Sequence, residues 1–199
     1  MTNKANGQTW NCGAPGSNLI ATLTSYYALP NGDYHGVITF TGSGDMMDYV
    51  ISGPWMGSGC LNYNIYYTFI IGDSVTSVGD RAFVYQCSHY IDSVKIGSSV
   101  TRIGERAFAG TPKAITIPNS VTTIGESAFY ACNVTSIPNS VTTIGDFAFY
   151  GCPVTSIPSS VTSIGNWAFV GCNFTSLSIP NGITSIGEGT FSNCRNLNL

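Results

Sequence analysis

Charge is what this chain has least of. Lys, Arg, Asp and Glu make up 9% of its 199 residues, against about 25% in an average soluble domain. Seven cationic and ten acidic side chains leave a net charge of −3. The cations are scattered, so no basic stripe exists to follow a phosphate backbone, and nucleic acid is excluded as a partner. Histidine is almost missing: His35 and His89 are the two in the chain, and neither lies in a motif that would bring acid, base and nucleophile together. No apolar run approaches the roughly 18 residues of a membrane-spanning helix, so membrane insertion is not expected. The opening MTNKANGQTWNC lacks the apolar centre of a signal peptide. Ser, Thr, Asn and Gly fill the surface instead, which suits a secreted or cell-surface protein.

What the chain does have is repetition. From Ile71 onward six units read IGDSVTSVGDRAF, IGSSVTRIGERAF, IPNSVTTIGESAF, IPNSVTTIGDFAF, IPSSVTSIGNWAF and IPNGITSIGEGTF. Their glycines, Gly79, Gly104, Gly125, Gly145, Gly165 and Gly187, recur every 20 to 25 residues, a period that marks a solenoid. Units this short cannot bury an apolar face alone and must stack on their neighbours. We therefore expect residues 71–199 to form one continuous solenoid of six repeats, mainly β with short helical turns, preceded by a β-rich N-terminal cap over 1–70.

Three rows recur. Val75, Val100, Val121, Val141, Val161 and Ile183 form one, and Val78, Ile103, Ile124, Ile144, Ile164 and Ile186 another; both should face inward. Phe83, Phe108, Phe129, Phe149, Phe169 and Phe191 make the third, each worth about 1.5–3 kcal/mol when buried. The repeat Gly either adopts positive φ or permits close backbone approach, and G-x-x-A-F has room for one helical turn. A second strand is expected where apolar residues alternate, at 94–96, 115–117, 177–179 and 197–199. The shorter VTSIP units should turn more tightly.

In the cap, residues 18–45 read as two β-rich runs around Pro30-Asn31-Gly32-Asp33, ended by Gly42 and Gly44, which is a hairpin with His35 at its turn. Asn64–Ile70 reads as the first strand of the stack. Of the seven cysteines, Cys12 and Cys60 precede the repeats, while Cys87, Cys132, Cys152, Cys172 and Cys194 trail the repeat Phe. Spread along the stacking axis, the latter cannot converge on a metal, so buried free thiols are expected. A Cys12–Cys60 bridge is the alternative for the first pair. No cofactor or metal site is legible: Asp45 and Asp48 lack further oxygen ligands for calcium, and TGSGD lacks the Lys-Ser/Thr of a phosphate loop.

The pattern I-P-x-S-V-T-x-I-G-x-x-A-F-x-x-C resembles the BspA-like, or Treponema pallidum-like, leucine-rich repeat family over about two thirds of the chain. The resemblance implies a leucine-rich-repeat-like fold, no catalytic site, and a role in adhesion to matrix proteins or other cells.

Two candidate surfaces follow from the residues themselves. The position two before the repeat Phe varies as Arg81, Arg106, Ser127, Phe147, Trp167 and Gly189, so the fold does not dictate its side chain. Phe147 and Trp167, with Tyr130 and Tyr150, form a candidate aromatic patch for a protein or glycan partner, unless they only extend the packing. Leu197 and Leu199 mark a candidate assembly end, through which copies would stack head-to-tail into filaments. Thr122, Thr142 and Thr162 form a hydroxyl ladder, read as ordinary strand surface. Asn133 and Asn173 head N-x-T sequons at equivalent sites.

Overall fold

The computed structural model describes residues 7–49, 64–84, 89–111 and 113–197. Cys60 and Cys87, the proposed Cys12–Cys60 bridge, Leu199 and the side chain of His89 lie outside these residues. The strands in chain order are β1 (Thr9–Asn11), β2 (Ile20–Ala28), β3 (Tyr34–Thr41), β4 (Gly44–Asp45), β5 (Ile65–Ile71), β6 (Val75–Val78), β7 (His89–Lys95), β8 (Arg102–Ile103), β9 (Thr123–Ile124), β10 (Thr143–Ile144) and β11 (Ser163–Ile164). They form two sheets, β1-β2-β3-β5-β7 and β11-β10-β9-β8-β6-β4.

The β2–β3 hairpin forms as read. Gly32 turns at φ 86°, Asp33 closes the loop through Asn31, and Gly42 follows the end of β3 at φ 100° while Gly44 opens β4 at φ 98°. His35, however, lies on β3 and pairs with Tyr66 of β5 instead of sitting in the turn. The parallel ladder also begins one strand earlier than Asn64–Ile70, because β3 runs parallel to β5 and β4 runs parallel to β6. Residues 34–49 thus follow the same path as the coils after them. In the second sheet the pairings from β6 through β11 are all parallel and in register, Ile103 opposite Ile124 opposite Ile144 opposite Ile164.

Each coil is tied to the next by two ladders of opposite sense. On the strand side a coil donates backward: Thr122 N to Thr101 O at 2.8 Å, Thr142 N to Thr122 O at 2.9 Å, Gly145 N to Ile124 O at 2.9 Å. In the turn after the repeat Gly it donates forward: Arg106 N to Glu126 O and Ser127 N to Asp146 O at 2.8 Å, Phe147 N to Asn166 O at 2.9 Å. These turns are not helical, and among the described residues no helix forms. The cause is a left-handed residue near the start of every turn: Arg81, Arg106, Ser127, Phe147 and Trp167 have φ of 51–58°, and Gly189 has 61°. A left-handed residue breaks the i→i−4 pattern and sends its N–H to the neighbouring coil. The fold thus fixes the backbone at this position while leaving the side chain open.

The repeat Gly serves close approach, since its φ is not positive. A Cβ at Gly125 would lie 2.8 Å from Gly104 C, and one at Gly145 2.7 Å from Glu126 N, distances that only hydrogen permits. Beneath the turns the phenyl rings stack. Phe83, Phe108, Phe129, Phe149, Phe169 and Phe191 are nearly parallel, with centroids 5.1–5.9 Å apart, and the first five are fully buried. Phe174 packs edge-on against Phe169 and Phe191.

The second strand is shorter-lived than its alternation suggests. β7 covers Val94 and Lys95, but 115–117 and 177–179 are not strands, and among the described residues only the Ala114–Asn133 bridge continues that pairing. The shortened VTSIP units supply no partner of matching length, and Pro118, Pro138 and Pro158 remove donors from the ladder. The inward rows hold for Val75 to Val161 and Val78 to Ile164, whereas Ile186 is 50% exposed and Ile183 partly buried, because no further described coil covers them.

Candidate functional site

Both turn columns bring the predicted aromatics into one line. Tyr130 and Tyr150 stack with centroids 4.6 Å apart at 11°. Phe147 and Trp167 are nearly parallel at 6.4 Å, and Tyr150 meets Phe147 at 6.4 Å and 41°. Tyr130 is 39% exposed, and the other three are half-buried. The rings are held because their backbones are held, each side chain projecting from a turn bonded forward to the next coil. The indole of Trp167 also covers Gly189, where a Cβ would collide with it.

Upstream the same column is ionic. Arg81 pairs with Glu105, Arg102 with Asp80 at 2.9 Å, and Arg106 with both Glu105 and Glu126 at 3.9 Å. Asp80, Asp146 and Asn166 each accept the backbone N–H of the corresponding residue one coil on, at 2.7–2.8 Å. Asp45 and Asp48 are likewise occupied, by the Thr76 hydroxyl and Asp80 N at 2.7 Å. The Thr76 and Ser77 bonds hold the Asp45 carboxyl below its usual range. Thr122, Thr142 and Thr162 turn their hydroxyls onto the carbonyl of the preceding coil at 3.2 Å. Among the described residues no three His, Cys, Asp or Glu groups gather as a metal site would require.

Cys132, Cys152, Cys172 and Cys194 are buried free thiols. Each donates to the repeat Phe carbonyl of the preceding coil, at 2.9, 3.0, 3.2 and 3.2 Å. Burial pushes Cys132 up to about 12 and Cys152 up to about 11, so neither offers a thiolate nucleophile. Cys12 is also free and buried. Leu197 folds back against the core.

Sequence reasoning missed a second aromatic row. On the outer face of the first sheet, Tyr27, His35, Tyr66 and Tyr90 are in register across β2, β3, β5 and β7, with Tyr27 against His35 at 5.3 Å and Tyr66 against Tyr90 at 5.4 Å. Thr68 links His35 to Ser93, and Asp92 sits between His35 at 3.7 Å and Lys113 at 3.6 Å. The strand register that aligns these four residues was not legible in the sequence.

A profile for the BspA type leucine-rich repeat region matches residues 76–138 and 133–199, in six copies. The chain belongs to this family. Members of the leucine-rich repeat family are generally non-enzymatic, repeat-based interaction scaffolds. A leucine-rich repeat protein of Eubacterium ventriosum superposes with a TM-score of 0.61 at 24% identity over 88% of this chain. This chain spans 44% of that protein. A leucine-rich cell surface protein of Faecalibacterium prausnitzii gives 0.44 at 19% identity, covering 85% of this chain and 66% of the other. The leucine-rich repeat protein of T. pallidum gives 0.41 at 22%, covering 87% and 76%. No curated protein matches.

Proposed function

We propose that this family member is a non-enzymatic binding or adhesion module, extracellular or at the cell surface, that presents the Tyr130–Tyr150–Phe147–Trp167 strip to a protein or glycan on another cell or in the matrix. One observation carries this reading. Arg, Ser and Gly occupy the Phe147 and Trp167 position in other coils with the same left-handed backbone, so the large rings there serve something other than the fold. Partly exposed aromatics held on a rigid scaffold lose little entropy on binding, and such residues dominate interface energetics. The test is capture of the protein on an array of matrix proteins and neutral glycans. The Phe147→Ala, Trp167→Ala double variant should lose capture while unfolding cooperatively; retained capture would sink the assignment.

A second reading, head-to-tail self-assembly through the solenoid end marked by Leu197 and Leu199, is supported by the exposed Ile186 and the partly buried Phe191 of the same repeat. A molar mass that climbs with concentration in light scattering supports it, and a constant mass near 21.0 kDa removes it.

A further inference from the structure

The ring columns stop together at one rung. Tyr150 stacks on Tyr130 from the following coil, and the corresponding residue of the preceding coil is Ala109. In the adjacent column Trp167 and Phe147 are followed upstream by Ser127 and then Arg106. Where both columns lose their rings there is a cavity of about 240 Å³, lined by Arg106, Ala109, Ser127 and Tyr130. The Tyr130 face turned away from Tyr150 therefore borders open space, whereas Tyr150 and Phe147 stack on neighbours and Trp167 lies over Gly189. At the rim, Arg106 is flanked at 3.9 Å by Glu105 and at 3.9 Å by Glu126.

We propose that this vacant rung is a saccharide seat, taking one pyranose ring of a neutral glycan with its C–H face on Tyr130 and its hydroxyls on Arg106 and Glu126. The inference rests on the binding-module reading and names its ligand class. An aromatic face beside guanidinium donors and carboxylate acceptors matches a polyol ring, apolar on one face and hydroxylated at its edge. An aromatic side chain would leave the rim's donors and acceptors unanswered. An anionic sugar or phosphate would meet a balanced cluster, Arg81 and Arg106 against Glu105 and Glu126, with no excess of cations to draw it in, which favours an uncharged ligand.

The test uses the full chain, labelled with ¹⁵N and titrated with the methyl glycosides of glucose, galactose and mannose. At least one should shift the amide signals of Arg106, Ala109 and Tyr130 and leave those of Tyr66 and Tyr90 in place. Tyr130→Ala should weaken that response by about tenfold or more. Ala109→Tyr should fill the rung, as Tyr130 and Tyr150 do in their own coils, and abolish the response without lowering the melting temperature. Absence of shifts with all three probes, or shifts that survive Ala109→Tyr, overturns the seat. Capture of a matrix protein that needs Phe147 and Trp167 but tolerates Ala109→Tyr, with no saccharide shift, overturns the seat while leaving the binding module standing.

Discussion

Truncating Phe129 to Ala removes the middle of the phenyl stack. Its ring is fully buried, with Phe108 at 5.7 Å on one side and Phe149 at 5.6 Å on the other, so neither neighbour can close the gap without breaking its own stacking. A buried Phe→Ala change costs about 3–5 kcal/mol, set against a total stability of roughly 5–15 kcal/mol for a single domain. The backbone bonds of Phe129, including the one its carbonyl accepts from Cys152 Sγ at 3.0 Å, do not depend on the ring, so the loss reports packing alone. Phe191→Ala is the comparison: its ring is only partly buried, and it should cost less, about 1–2 kcal/mol. Urea unfolding followed by circular dichroism gives both values. A Phe129→Ala cost under about 1 kcal/mol, well below the expected cavity penalty, or equal costs at the two positions, would refute a stack whose stability comes from neighbour-on-neighbour contact.

Three further outcomes follow from the same geometry. Ala131 is left-handed at φ 54°, whereas the equivalent Gly110, Gly151 and Gly171 are glycines at 70–77°; Ala131→Gly should raise the urea midpoint, gaining about 0.5–1 kcal/mol after the added unfolded-chain entropy. Gly145→Ala forces a Cβ to 2.7 Å from Glu126 N and should cost about 1–3 kcal/mol; in the same assay Gly182→Ala, whose tightest contact is the Thr162 methyl at 3.2 Å, should be much milder. Folding raises the Cys132 and Cys152 thiols from 9.0 to about 12 and about 11 through burial, so the unfolded chain gives up these protons first. Their contribution is whole below about pH 9 and lost as pH climbs through 11 and 12. The urea midpoint should fall across that window, less steeply in Cys132→Ala, and at neutral pH iodoacetamide should leave both thiols unmodified until urea is added.

The solenoid was legible because its constant positions are those that physics restricts most tightly: a Gly where only hydrogen fits, a Phe whose ring needs a ring on each side, and a Cys small enough to reach a carbonyl one coil back. Phe147 and Trp167 were legible as variable positions between constant ones. The left-handed turn was hidden, since Arg, Ser, Phe and Trp are not the residues that usually announce positive φ; six tolerant side chains looked like a helical turn. The missing second strand was hidden because alternation at 115–117 describes one segment, whereas pairing depends on the length of the next unit. The outer row from Tyr27 to Tyr90 required the register of four strands, and the vacant rung at Ala109 required knowing which face of Tyr130 was covered.

The most direct test of the binding account is hydroxyl-radical footprinting of the protein while it is captured on the array of matrix proteins and neutral glycans, compared with the protein free in solution. The account predicts that Tyr130, Tyr150, Phe147 and Trp167 become protected while Tyr27, Tyr66 and Tyr90 keep their reactivity. Protection of the latter row with the former unchanged, or no capture at all, would contradict it.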